Sequence, residues 1–105
     1  MTGQDIKDQQ INSKNSLEKI TFNCYKDKLK NRLFGLLCER EKDGEWEKFL
    51  DTIVIEVMGL KELKSINYWA LLAKLCSLKY LSYEYFRKTI FECMNLINGI
   101  ENELH

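Results

Sequence analysis

The chain contains no proline, and its five glycines are scattered along the sequence. Proline-rich linkers and glycine-rich phosphate-binding loops are therefore excluded, and little would interrupt long helices. No hydrophobic run approaches the roughly 18 residues that span a bilayer. The polar N-terminus also lacks the apolar segment of a signal peptide. We therefore expect a cytoplasmic protein that does not enter a membrane.

Histidine is almost absent, since His105 at the C-terminus is the only one. Four cysteines are present, but no two of them form a C-x-x-C pair, so the usual zinc-binding patterns are missing. They are Cys24, Cys38, Cys76 and Cys93. Nucleophilic catalysis and helical di-metal sites commonly require histidine beside cysteine or glutamate. We predict no metal, no cofactor, no catalytic residue and no small-molecule substrate, and we expect four buried free thiols in a reducing compartment.

Net charge is also lacking, because 16 basic residues balance 16 acidic ones. The usual electrostatic attraction to nucleic acid or to anionic membranes is therefore missing. The distribution is nevertheless uneven. Residues 39–56 carry seven acids against three bases, whereas residues 61–91 carry six bases against two acids. This polarity is typical of solvated helix faces that close on one another.

Helical periodicity dominates what is present. A length of 105 residues and an apolar content of 45% predict one domain with a hydrophobic core. Apolar stripes predict helices over 16–41, 44–58, 65–78 and 82–98, and the short connections favour an all-α, antiparallel four-helix bundle. We expect a flexible polar tail over 1–15, a single helical domain over 16–98, and a polar tail over 99–105 because Asn98-Gly99 resembles a helix stop. Residues 52–57 are β-branched enough for a strand, but no second such run could pair with them.

The third predicted helix differs from the others in being apolar nearly all round. Lys74 is its only charged residue. Such a helix lies at the centre of a bundle or in an oligomer interface, so we expect it to be the most buried part of the chain. Ser65 or Asn67 is suited to cap its start, and Ser82 to cap the fourth helix.

Aromatic and basic side chains alternate where the third predicted helix meets the fourth, over residues 78–88. This junction could be a corner of the core, a docking surface for a protein, or a helix-turn-helix that reads DNA. Five residues are assigned to the core: Trp69, Cys76, Tyr83, Phe86 and Ile90. The remaining candidates for binding a partner are Lys79, Tyr80, Tyr85, Arg87, Lys88 and Phe91.

The function that these patterns favour is a non-enzymatic regulatory or inhibitory protein. It would bind a protein partner, or a second copy of itself, through the aromatic and basic surface of its last helices. In the alternative, a small DNA-binding regulator, Lys79, Arg87 and Lys88 would contact phosphates while Tyr85 or Thr89 approaches the bases. The bias toward Lys, Asn, Ile and Glu is typical of AT-rich bacteria and their mobile elements, so we expect a bacterial or phage source.

Overall fold

The computed structural model describes the backbone of residues 3–60, 63 and 65–104, and the side chains within those ranges from residue 21 onward. It contains four α-helices and no strand in that part of the chain: α1 (Gly3–Glu41), α2 (Trp46–Met58), α3 (Ile66–Ser77) and α4 (Tyr83–Glu103). A 3₁₀ turn, Leu78–Tyr80, joins α3 to α4. The all-α prediction is confirmed, and the β-branched residues 52–57 are helical. No helix of the described part is both long enough and apolar enough to cross a membrane.

The helices form an antiparallel ring in which each one packs against its two neighbours in sequence, and α4 closes the ring against α1. Two contacts at each helix pair show the direction, because the residue number on one helix rises as the number on its partner falls. Those contacts are Tyr25 with Glu56 and Arg40 with Trp46, Val57 with Tyr68 and Asp51 with Lys79, Asn67 with Glu103 and Lys74 with Glu92, and Lys26 with Glu101 and Lys30 with Asn98. The predicted antiparallel bundle is therefore confirmed.

One apolar stripe from each helix points into this ring and forms the core. The buried side chains are Phe22, Leu29, Leu33 and Leu36 of α1; Leu50, Ile53 and Val57 of α2; Tyr68, Leu71 and Leu75 of α3 with Leu78 of the turn; and Phe86, Ile90, Cys93, Ile97 and Ile100 of α4. Within each helix these residues recur at intervals of three or four positions, or of seven between Phe22 and Leu29, as the sequence periodicity predicts.

The expectation of four buried thiols is wrong for three of them. Cys24, Cys38 and Cys76 are exposed, and Cys93 alone of the four is buried. Cys76 directly follows the buried Leu75, and one position along a helix turns a side chain by about 100°. A cysteine among apolar neighbours can therefore still face solvent. Burial raises the pKa of the Cys93 thiol to about 12.

The end of α1 is set by a left-handed residue. Asp43 has φ 59°, and the amide of Gly44 donates to the carbonyl of Glu39 at 2.9 Å while that of Asp43 donates to Arg40 at 3.0 Å. This pair of bonds is the Schellman arrangement that closes many helices. The left-handed residue that ends the helix is therefore Asp43, one residue before the predicted break at Gly44. At the start of α3, Ser65 accepts from the Tyr68 amide at 2.8 Å, which confirms one of the two predicted caps.

Two helix ends differ from the predicted ones. The α1 backbone is helical from Gly3 rather than from about Ser16. The side chains of residues 1–20 lie outside the described part, and the flexibility of residues 1–15 stays a prediction. Helix α4 continues through Gly99 to Glu103, so the predicted stop at 98 is wrong. Gly99 lets the two helices approach closely there, since an added Cβ would lie 2.7 Å from Nδ2 of Asn67 on α3 and that amide would have to move. The extension also buries Ile100 in the core.

Candidate functional site

Four of the candidate side chains lie together on the outer side of α4. Tyr85, Arg87, Lys88 and Phe91 line a groove of about 430 Å³ together with Glu84. The buried residues Phe86 and Ile90 fix the rotation of the helix, so that the residues beside them are directed outward. We call Tyr85, Arg87, Lys88 and Phe91 the α4 surface. Its side chains are exposed, as predicted, and their binding to a partner stays a prediction.

The two remaining candidates lie in a different groove. Lys79 and Tyr80 line a cleft of about 180 Å³ between α2 and α3, together with Asp51, Val54 and other residues of those helices. The Nζ atom of Lys79 lies 2.5 Å from Oδ1 of Asp51. That hydrogen bond raises the pKa of Lys79, with the carboxylate charge adding to the effect. The structure therefore divides the six predicted residues between two grooves, and Lys79 is already paired.

The two basic groups of the α4 surface have different surroundings. Among the described residues Arg87 forms no ion pair and no hydrogen bond through its side chain. Lys88 is close enough to Glu92 for its charge to help lower the pKa of that carboxyl group. The main cause of this lowering is the hydrogen bond from Lys74, whose Nζ atom lies 2.7 Å from Oε2 of Glu92. Arg87 is thus the cation of this surface that is free to meet a carboxylate.

An arginine that the sequence did not single out holds the α3–α4 junction in place. The guanidinium carbon of Arg40 lies 4.7 Å from the ring centre of Trp46 and 4.5 Å from that of Phe86. Its Nη2 atom donates to the carbonyl of Leu81 at 2.7 Å, while Nη1 is buried and has no hydrogen-bond partner among the described residues. Arg40 belongs to a charged run that is typical of a solvated helix end. Its role at the junction therefore could not be predicted from the neighbouring sequence.

The core assignment at the junction is right for two of its five residues. Phe86 and Ile90 are fully buried, as predicted. Trp69 is 53% exposed and Tyr83 is 38% exposed, so both assignments are wrong, as is that of Cys76. The buried aromatic is instead the neighbour of Trp69, Tyr68.

Tyr68 can be buried because its hydroxyl group has a partner inside the protein. It donates to the carbonyl of Val57 on α2 at 2.8 Å, and burial raises the pKa of this tyrosine. Trp69 packs edge-on against the Tyr68 ring, with ring centres 5.1 Å apart, and is directed toward solvent. The sequence could not rank these two aromatics, because both fit the apolar pattern of the helix.

The prediction that α3 is the most buried helix is confirmed for the described side chains, since only four of its twelve are exposed, but those four lie on one side. One side of it lies in the core, and the opposite side is both apolar and open to solvent. The exposed residues are Ile66, Trp69, Ala73 and Cys76, and Tyr80 of the following turn continues the row. We call these five residues the α3 stripe.

The described residues offer little that resembles a catalytic or metal centre. No three or more His, Cys, Asp or Glu side chains in that part of the chain are placed so that they could share a metal ion. A third groove, of about 400 Å³, is lined by Arg40, Glu41, Asp43, Trp46 and Tyr83. Comparisons with protein-family models, with curated proteins and with solved structures find no match. The function must therefore be argued from the surfaces themselves.

Proposed function

We propose that this chain is a non-enzymatic regulatory or inhibitory protein of the cytoplasm, and that it binds another protein through the α4 surface. The observation that carries the proposal is the exposure of Tyr85 (62%) and Phe91 (45%) in one groove with Arg87 and Lys88. Tyrosine, other aromatics and arginine supply much of the binding energy at protein interfaces, since they combine large apolar area with directed polar groups.

The charges of the groove suggest which partner it would accept. Arg87 has no carboxylate partner within the described residues, and Lys88 adds a second positive charge one position along the helix. A fitting partner therefore presents an apolar side chain for the groove with an acidic group beside it. Electrostatic matching of this kind speeds association and disfavours partners of the wrong charge.

The helix-turn-helix alternative has less support. Lys79, the residue proposed to contact a phosphate from the turn, is bound to Asp51 at 2.5 Å. Along α4 itself only Arg87 and Lys88 are basic, whereas the acids are Glu84, Glu92, Glu101 and Glu103. A DNA-reading helix with more acids than bases would repel the phosphate backbone that supplies most of the affinity.

A comparative pull-down from the native cell tests the partner proposal. The bait is used as wild type, as Tyr85→Ala/Phe91→Ala, and as Asn95→Ala/Asn102→Ala, a matched control of two exposed residues on the same helix. We expect a protein that is retained by the wild type and by the control and is lost from the aromatic variant. Circular dichroism checks that all three proteins keep the same helix content. If no protein follows this pattern, the proposal fails.

A gel mobility shift at low salt tests the alternative. The partner proposal predicts no complex with duplex DNA for the wild type or for Arg87→Glu/Lys88→Glu. A complex that weakens steeply with salt and disappears in the charge-reversal variant would favour the DNA-binding function instead.

A further inference from the structure

The α3 stripe has the spacing of a helix-pairing surface. Its four members on α3, Ile66 to Cys76, follow one another at intervals of three and four residues over about three turns, which is the pattern of the apolar positions in a two-stranded coiled coil, and Tyr80 continues the row on the 3₁₀ turn. Ile66 is 84% exposed, Trp69 53% and Tyr80 86%. Side chains this apolar, aligned along one helix face and uncovered, exceed what a monomer normally leaves open to water.

The charges at the edges of the stripe are neutralised within the chain. On the side toward α4, Lys74 lies 2.7 Å from Glu92. On the side toward α2, Lys79 lies 2.5 Å from Asp51. The stripe itself carries no charged residue. The described part of this face therefore has nothing that would repel an identical face, whereas a strongly charged partner would find no complement there.

Helix α2 widens the apolar face. Asp51 and Val54 already border the cleft that contains Cys76 and Tyr80, and one turn later on α2 come Ile55 and Met58, which are 69% and 53% exposed. Together with the stripe, these two residues expose an area on the order of 600–800 Å², close to the ~800 Å² that each partner contributes to a standard interface. The area is thus sufficient for a specific dimer.

We propose that a second copy of this chain covers the α3 stripe, with the two α3 helices antiparallel and crossing at Ala73. The stripe extends seven residues from Ala73 in each direction, so a two-fold axis at this point brings the two stripes into full overlap. The small side chain of Ala73 lets the helices approach closely at the crossing point. The large Trp69 then meets the small Cys76 of the other copy, and Ile66 meets Tyr80.

A parallel pairing would fit less well. It would place Trp69 against Trp69 and Tyr80 against Tyr80, so that the largest side chains coincide at two levels and leave gaps at Ala73 and Cys76. Interfaces pack best where large residues face small ones. This inference concerns a different surface from the proposed partner site on α4, and neither depends on the other.

Engineered disulfides test the antiparallel crossing directly. The background carries Cys24→Ser, Cys38→Ser and Cys76→Ala, which removes the exposed thiols and leaves the buried Cys93. In this background Ala73→Cys should form a covalent dimer when oxidised with diamide, because the two copies of residue 73 meet at the axis. Ile66→Cys should not, since its two copies would lie roughly 20 Å apart at 1.5 Å per residue, beyond the ~7 Å that a disulfide allows between Cα atoms.

The two variants separate the possible outcomes. Cross-linking of Ala73→Cys alone supports the proposal. Cross-linking of both variants would mean a parallel dimer, and cross-linking of neither would mean that α3 is not the interface, so either result overturns it.

Sedimentation equilibrium gives a second test without added cysteines. Wild-type protein should dimerise with increasing concentration, and Ala73→Glu should raise the dissociation constant at least about tenfold, because it buries an unpaired carboxylate at the axis. Ala73 is exposed in the monomer, so the helix content should not change. The matched control Phe91→Glu, on the α4 surface, should dimerise like the wild type. A wild type that stays monomeric up to about 1 mM, or an Ala73→Glu that dimerises normally, overturns the proposal.

Discussion

Helices α3 and α4 are neighbours in the same bundle, yet they present opposite kinds of surface to solvent. The outer side of α4 is polar, and its exposed rings Tyr83, Tyr85 and Phe91 lie among charged and amide side chains, as in an ordinary amphipathic helix. The outer side of α3 is apolar along its whole length, from Ile66 to Tyr80. Both helices bury an inner stripe of similar kind. A helix that is apolar nearly all round thus still leaves one of its sides open to solvent.

The reason is geometric. In a ring of four helices each member contacts two neighbours and keeps one side outward, however apolar its sequence is. The inner stripe of α3 satisfies the fold, and the apolar residues on its outer side are in excess of what folding requires. Excess apolar surface of this kind is retained in soluble proteins mainly where a partner covers it.

The largest expected effect contrasts the two sides of α4 at adjacent positions. Phe86 is fully buried, and its ring packs edge-on against Trp46 with ring centres 5.3 Å apart. Phe86→Ala should lower the free energy of unfolding by about 3–5 kcal/mol, because it removes a large core side chain and leaves a cavity. Tyr85→Ala should change it by less than about 0.5 kcal/mol. Urea unfolding followed by circular dichroism measures both.

A pair of adjacent substitutions on α3 tests whether this helix also has one buried and one exposed side. Leu75→Ala should cost about 2–5 kcal/mol and Cys76→Ala very little, measured at concentrations where the protein is monomeric. Equal losses at the two positions would show that α3 has no outer side, and the difference between the helices would disappear.

The second effect concerns Arg40, whose side chain stabilises the junction of α3 and α4. Arg40→Met keeps the hydrocarbon stem but removes the guanidinium group, its stacking on Trp46 and Phe86, and its bond to the carbonyl of Leu81. We expect a loss of about 2 kcal/mol in unfolding free energy. Arg32→Met, which removes an ion pair with Glu56 away from the junction, is the control and should cost less than about 1 kcal/mol. A smaller loss for Arg40→Met than for the control would mean that the guanidinium group does not fasten the turn.

The sequence predicts which side chains are buried where neighbouring residues determine it, and fails where a contact with a distant residue determines it. The prediction that Phe86 and Ile90 of α4 lie in the core is correct, because an amphipathic helix has one apolar side that can be buried. On α3 two sides are apolar, and the pattern alone cannot choose between Tyr68 and Trp69. The choice is made by the carbonyl of Val57, which satisfies the hydroxyl group of Tyr68.

The candidate site shows the same limit. Periodicity placed Tyr85, Arg87, Lys88 and Phe91 near one another, since they lie within two turns of one helix. It could not place Lys79 and Tyr80, which follow the direction of α3 and face α2 across the turn. Arg40 was missed because two of its three contacts, Leu81 and Phe86, come from residues that are distant from it in sequence.

The third effect uses the two cysteines that distinguish the helices, Cys76 on α3 and Cys93 on α4. Burial raises the pKa of the Cys93 thiol from 9.0 to about 12. Between these values the unfolded chain releases a proton that the native protein retains. This thiol therefore contributes stability that is fully present below pH 9 and is lost as the pH rises toward 12. As the pH rises from 9 toward 12, the unfolding free energy of the wild type should fall more steeply than that of Cys93→Ala. The difference between the two slopes should be at most about 1.4 kcal/mol per pH unit.

Thiol labelling at neutral pH is the matching control. At concentrations where the protein is monomeric, an excess of a thiol reagent should modify Cys76 rapidly, together with Cys24 and Cys38, and should modify Cys93 only in the unfolded protein. Equal labelling rates for Cys76 and Cys93 in the native state, or equal pH slopes for the wild type and Cys93→Ala, would contradict the burial of this α4 thiol.

The smallest effect tests the contact that brings α3 and α4 together. A Cβ on Gly99 would lie 2.7 Å from Nδ2 and 2.9 Å from Cγ of Asn67, whose amide donates to Glu103 at 2.6 Å. Alanine favours a helix over glycine by about 1 kcal/mol, but here it must displace the Asn67 amide and its hydrogen bond. Gly99→Ala alone should therefore change the unfolding free energy by less than about 0.5 kcal/mol, because the two contributions offset each other.

Without the Asn67 amide, the helix propensity of alanine at position 99 should stabilise the protein. In an Asn67→Ala background nothing remains at the position of the amide, so adding Gly99→Ala should raise the unfolding free energy by about 1 kcal/mol. The double-mutant cycle then gives a coupling of similar size between two residues of different helices. If Gly99→Ala is equally stabilising with and without Asn67, the change in unfolding free energy comes from helix propensity alone. The close approach of α3 and α4 would then not explain why α4 continues past the Asn98-Gly99 pair.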